Sequence, residues 1–126
     1  MENLRLVRNM EMPYLPEVDF DANAGICDIS GESYMDDTYK FYLPLLNWIE
    51  EYLESSDILV FNFKLTYFNT SSSKCILDIL ELLKKKSDIG KNISINWYYD
   101  KADPEMINDV EDFQIETGAD IVLIES

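Results

Sequence analysis

The chain has 126 residues, 47% of them hydrophobic, and carries 25 acidic against 10 basic side chains for a net charge of −15. That length holds one domain with a real core and not two comfortable ones. The acidity excludes a surface built to neutralise nucleic-acid phosphates or to dock on an anionic membrane, and leaves basic or apolar protein partners.

The start, Met1-Glu2-Asn3-Leu4-Arg5, is charged and has no apolar block behind it, so no signal peptide is expected and the cytoplasm is the default compartment. No later stretch approaches the roughly 20 apolar residues of a membrane span. Residues 1–15 read as a short strand or a loosely held arm. Val18 and Phe20, then Ile26 and Ile29, predict two short antiparallel strands joined by a turn at Asp21-Ala22-Asn23-Ala24-Gly25. Gly31-Glu32-Ser33-Tyr34 is expected to end that pair. A helix follows, capped by Asp36 or Asp37, with Tyr42, Leu45, Leu46, Ile49 and Leu53 on one face. Pro44 removes a backbone hydrogen bond, so the helix either kinks there or begins its regular part there.

From Ile58 to Phe68, Phe61, Phe63, Leu65 and Tyr67 alternate with Asn62, Lys64 and Thr66, the period of a strand. Ile76, Ile79, Leu80 and Leu83 predict a helix from about Ser71 to Lys86, ended near Gly90, with Lys84-Lys85-Lys86 opposing the negative end of its dipole. Ile93 to Tyr99 alternates again. Asp103-Pro104 is a strong helix start, Met106, Val110 and Phe113 supply its apolar face, and Gly118 stops it. Ile121 to Ile124 is a short last strand. The elements make one α/β domain over 1–126: an N-terminal antiparallel hairpin followed by βαβαβ units in a mixed sheet. Because the central strands alternate apolar with polar, the helices are expected mainly on one face, leaving the other partly open. Cys27 and Cys75 are too few for a disulfide framework and are expected to be reduced, Cys75 in a packing role.

The chemistry-bearing feature is Asn69-Thr70-Ser71-Ser72-Ser73-Lys74, four hydroxyls in a row at a strand-to-helix junction. A helix start has unpaired N–H groups and partial positive charge, which favour a capping hydroxyl and, more strongly, a phosphate. Capping accounts for one or two of the four; the excess points to regulated modification. Ser71 and Lys74 also form a Ser-x-x-Lys, the spacing with which penicillin-recognising enzymes activate a serine, but the companion motifs are missing and the chain is too short for that fold. With no histidine, zinc is disfavoured; Asp100 with Asp103, or Asp36 with Asp37, would serve only an all-carboxylate magnesium site, and strand-end or helix-cap roles explain both pairs. No Gly-rich phosphate loop or dinucleotide fingerprint is present. No cofactor is expected. The readings that stay open are a phosphorylation-controlled binding module, a small Ser/Lys or carboxylate-metal hydrolase, and a constitutive interaction subunit.

Leu65 through Lys74, continuing to Asp78-Ile79-Leu80, resembles the signature of the SiaC family of bacterial regulatory phosphoproteins. Gly31-Glu32-Ser33-Tyr34, Trp48-Ile49-Glu50 with Tyr52-Leu53, and Trp97-Tyr98-Tyr99-Asp100 leading to Glu111-Asp112-Phe113 agree, so the resemblance runs from about Pro16 onward. Ser73, where an apolar residue is usual, and Phe68, where leucine is usual, depart from it. The resemblance implies a STAS-like domain without catalytic activity, reversibly phosphorylated on Thr70 by a dedicated Ser/Thr kinase and dephosphorylated by a metal-dependent Ser/Thr phosphatase. It implies that the unphosphorylated form binds and activates a diguanylate cyclase, linking the switch to cyclic-di-GMP signalling and biofilm regulation. Asn69, Ser71, Ser72 and Lys74 would then frame the partner contact around Thr70.

Overall fold

Six strands and three helices follow one another along residues 1–126 of the computed structural model: β1 (Leu4–Leu6), β2 (Glu17–Asp21), β3 (Ile26–Ser33), α1 (Thr38–Ser55), β4 (Ile58–Phe68), α2 (Thr70–Asp88), β5 (Asn92–Tyr99), α3 (Pro104–Thr117) and β6 (Val122–Glu125). The strands lie in one sheet in chain order. β1, β2 and β3 pair antiparallel; β3, β4, β5 and β6 pair parallel. Each parallel step passes through a helix. Right-handed crossovers between sequential neighbours put all three helices on the same side of the sheet.

The side chains agree with that layering. Cys27 and Ile29 of β3, Leu59, Phe61, Phe63 and Leu65 of β4, and Ile95 and Trp97 of β5 are buried, every second residue along each strand. They pack against Tyr42, Leu45 and Ile49 of α1 and Ile76, Ile79 and Leu83 of α2 in a single cluster of 27 buried residues. Each such side chain contributes roughly 1.5–3 kcal/mol when withdrawn from water. The other face is polar: Asn96 Nδ2 donates to Asn62 Oδ1 and Asn62 Nδ2 to Asp28 Oδ1, both at 2.9 Å, one rung across three strands. The mixed sheet with helices on one face is therefore as the alternation predicts.

At the β2–β3 turn Asp21 Oδ1 accepts from Asn23 N and Ala24 N, and Gly25 closes the turn at φ +68°. A Cβ there would stand 2.7 Å from Tyr52 Oη, so only glycine fits both the backbone and the space. The N-terminal stretch takes the strand alternative: β1 pairs with β2, and Trp48 Nε1 donates to Glu2 O at 2.9 Å.

The boundaries refine the sequence reading. Pairing of β2 with β3 ends at Ser30, as expected from Gly31-Glu32-Ser33-Tyr34, while Gly31, Glu32 and Ser33 pass beyond β2 and stay paired with β4, with a register shift that leaves Thr66 opposite no partner and its Oγ1 3.3 Å from Gly31 O. α1 starts at Thr38, with Asp37 Oδ1 accepting from Lys40 N at 3.2 Å, and Pro44 lies within the helix rather than at its regular start. Pro44 has no N–H to donate to the Lys40 carbonyl one turn back, and both residues are exposed. Asp103 occupies the cap position of α3 but makes no side-chain cap bond, whereas Asp100 closes the preceding turn by accepting from Ala102 N at 2.8 Å. Both cysteines are buried and free, and burial raises both thiol pKa values, which keeps them protonated. No helix is long and apolar enough to cross a membrane.

Candidate functional site: the N-terminus of α2

The last residue of β4 anchors the junction. Phe68 packs edge-on against Trp97 with ring centroids 6.0 Å apart, and lies 5.6 Å from Phe113 of α3. Asn69 then turns the chain, its N–H donating to Ser33 O at 3.1 Å and its Oδ1 accepting from Ser72 N at 2.9 Å. The cap is therefore the Asn69 amide and not one of the four hydroxyls. The helix begins at Thr70, one residue earlier than its apolar period indicates. All four hydroxyls sit in the first turn.

Three of them are engaged. Ser71 Oγ donates to Asn69 Oδ1 at 3.2 Å and accepts from Thr38 Oγ1 at 3.0 Å; Thr38 Oγ1 is also 3.3 Å from Met35 O. Ser72 is fully buried, donating to Ser33 O at 2.9 Å and accepting from Ser33 Oγ at 2.8 Å. Tyr42 Oη stands 2.7 Å from Ser33 Oγ, and burial pushes its phenol pKa up, so it remains protonated as the donor. Ser73 Oγ donates to Thr70 O at 2.7 Å. Thr70 alone is exposed with an Oγ1 that makes no hydrogen bond within the chain.

These positions sort the expected contact residues. Asn69 is half-buried and serves as cap; Ser71 and Lys74 are exposed, Lys74 one turn beyond Thr70. Ser72 is displaced from any contact surface, because the approach of α2 to β3 places its hydroxyl in the interior. A shallow cavity of about 260 Å3 opens beside Thr70, walled by Phe68 and Ser73 on one side and by Asp109, Asp112 and Phe113 of α3 on the other. The Asp109 pKa is raised, first by partial burial and then by the charges of Asp112, Asp103 and Glu105. Sequence reasoning did not place Asp109 here. Its only signal was a spacing of three from Asp112 on a helix that had not yet been set beside α2.

Residues 10–126 match the family described as SiaC family regulatory phosphoprotein. The chain belongs to the SiaC family. The match reaches further toward the N-terminus than the resemblance from Pro16, and takes in the segment leading to β2. An uncharacterised protein of Pseudomonas aeruginosa is 31% identical over 100 residues, 79% of each chain. The apo-SiaC crystal structure from Pseudomonas aeruginosa superposes with a TM-score of 0.89 at 26% identity, covering 98% of this chain and 99% of that one. The same organism's SiaC, in complex with the diguanylate cyclase SiaD that it activates, superposes with a TM-score of 0.90 at 26% identity, again over 98% and 99%. The SiaC fold thus extends over essentially the whole chain, including the junction that holds Thr70.

Proposed function

We propose that this SiaC family member is a non-enzymatic switch of the cytoplasm. A Ser/Thr kinase phosphorylates Thr70, a metal-dependent Ser/Thr phosphatase removes the phosphate, and the unphosphorylated form binds a diguanylate cyclase as its output. One observation supports this most: of four consecutive hydroxyls, only Thr70 is both exposed and unbonded. A phosphate there adds roughly −1.5 to −2 charge beside the free N–H groups of the first turn, with Lys74 one turn away as counter-charge. Asp109 and Asp112 oppose it from α3. A partner that packs against the unmodified rim meets a bulky, hydrated dianion once Thr70 is modified, which disfavours an apolar contact.

The geometry speaks against a Ser/Lys hydrolase and against a constitutive subunit. Ser71 Oγ is committed to Asn69 and Thr38, and Lys74 is exposed rather than enclosed beside it, so a Ser-Lys hydrolase has neither a free nucleophile nor a desolvated base. A constitutive subunit would use its hydroxyls as caps, yet Asn69 caps the helix and leaves Thr70 unused.

The test is incubation of the wild type and Thr70→Ala with the candidate kinase and Mg-ATP, followed by mass mapping. One phosphate on the Thr70 peptide of the wild type and none on the variant is the expected result. A phosphate that persists on Thr70→Ala overturns the site.

A further inference from the structure

Thr70 lies at the end of the sheet where the parallel strands finish, and that end carries a second feature. A groove of about 620 Å3 runs between the segment preceding β2 and the start of α1, walled by Tyr14, Tyr34, Met35 and Phe41 and edged by Asp36 and Asp37. Tyr34 joins two neighbours edge-to-face, Tyr14 at 6.0 Å and Tyr67 at 5.8 Å between centroids. The row leads from the groove to Tyr67, two residues before Asn69. Tyr34 and Tyr67 are 38% and 51% exposed. Exposed tyrosines held rigid by one another are the side chains that interfaces use most, since little entropy is lost when a partner covers them.

The charges select the partner. Asp36 and Asp37 are exposed and neither is ion-paired; Asp37 spends one oxygen on the cap of α1. Lys40 is the only cation in the lining. The chain as a whole stands at −15. The groove is also tied to the switch: Thr38, just past its acidic edge, donates to Ser71 Oγ and touches Met35 O, so groove wall and phosphosite turn share one set of hydrogen bonds.

We infer that the Tyr14–Tyr34–Tyr67 row and its groove are the docking surface for the output protein, and that the docked segment carries apolar side chains flanked by lysine or arginine. The inference rests on the reading that an output protein binds next to Thr70. Modification then acts at the rim of this contact, through Ser71 and Thr38, rather than at its centre.

The experiment is calorimetric titration of the diguanylate cyclase that wild type binds, at low and high salt, with Tyr34→Ser and Asp36→Lys. Asp36 makes no ion pair or cap bond, so Asp36→Lys keeps the assignment testable if Tyr34→Ser folds poorly. Each variant is expected to lose at least roughly tenfold in affinity with its melting temperature kept, and Asp36→Lys to lose much of the salt dependence. Wild-type affinity in both variants overturns the docking surface and leaves the switch standing. Self-association of the protein that Tyr34→Ser abolishes, with cyclase binding intact, assigns the groove to a second copy and also overturns it. A wild type that binds no cyclase overturns the proposed function, and the docking surface with it.

Discussion

Ser72 Oγ donates to the carbonyl of Ser33 at 2.9 Å, and the Ser33 hydroxyl donates back to Ser72 Oγ at 2.8 Å. With Tyr42 Oη on Ser33, this pair fastens the first turn of α2 to β3 and α1 from beneath. The two partners on the inside are what leave Thr70 on the outside: on a helix, residues two apart do not share a face.

Ser33→Ala removes the acceptor of one buried group and the donor of another. Tyr42 Oη and Ser72 Oγ are then short of partners where water does not reach, a loss of about 1–3 kcal/mol. A thermal melt is expected to show the midpoint several degrees lower. An unchanged midpoint would mean the network contributes nothing to holding α2.

The cap gives a separable effect. Asn69→Ala removes the acceptor for Ser72 N and is expected to cost about 1 kcal/mol, read as a lower denaturant midpoint at unchanged slope. Asn69→Asp keeps an acceptor and adds a favourable charge at the helix start, so it should recover most of that loss near neutral pH. If the alanine and aspartate variants melt alike, the amide is not the cap.

Along α3, Glu105, Asp109 and Asp112 stand at spacings of four and three, like charges on one face. The folded chain holds a proton on Asp109 more tightly than the unfolded one, because its pKa is raised. Its contribution to stability is therefore full below the ordinary aspartate value of about 3.9 and is lost as pH rises through the raised value. Asp109→Asn should stabilise the protein by about 0.5 kcal/mol near neutral pH and leave it unchanged in acid. The gain should grow once Thr70 carries phosphate across the shared cavity. Melting temperature against pH, for both forms of both proteins, checks the sign and the coupling.

Much of this was legible in the sequence. The bounds of β4 follow from strict alternation, and α3 from Pro104 at its start and Gly118, at φ +73°, past its end. The proposed acceptor, Thr70, came from the family resemblance, since the hydroxyl run alone offered four equivalent candidates. What separates them is tertiary. Asparagine, serine and threonine all cap well, and only the approach of β3, which takes Ser72 inward, decides which side chain does so. The tyrosine row was equally hidden, because Tyr14, Tyr34 and Tyr67 are neighbours only once the strands are ordered and the chain before β2 is laid beside β3. The two carboxylates near Thr70 needed α3 set against α2.

The most direct measurement is the affinity of a diguanylate cyclase for the protein in two forms, unmodified and stoichiometrically phosphorylated at Thr70, by calorimetry at fixed salt. The unmodified form is expected to bind, and the phosphorylated form to bind at least roughly tenfold more weakly. Equal affinity of the two forms would contradict a switch at Thr70.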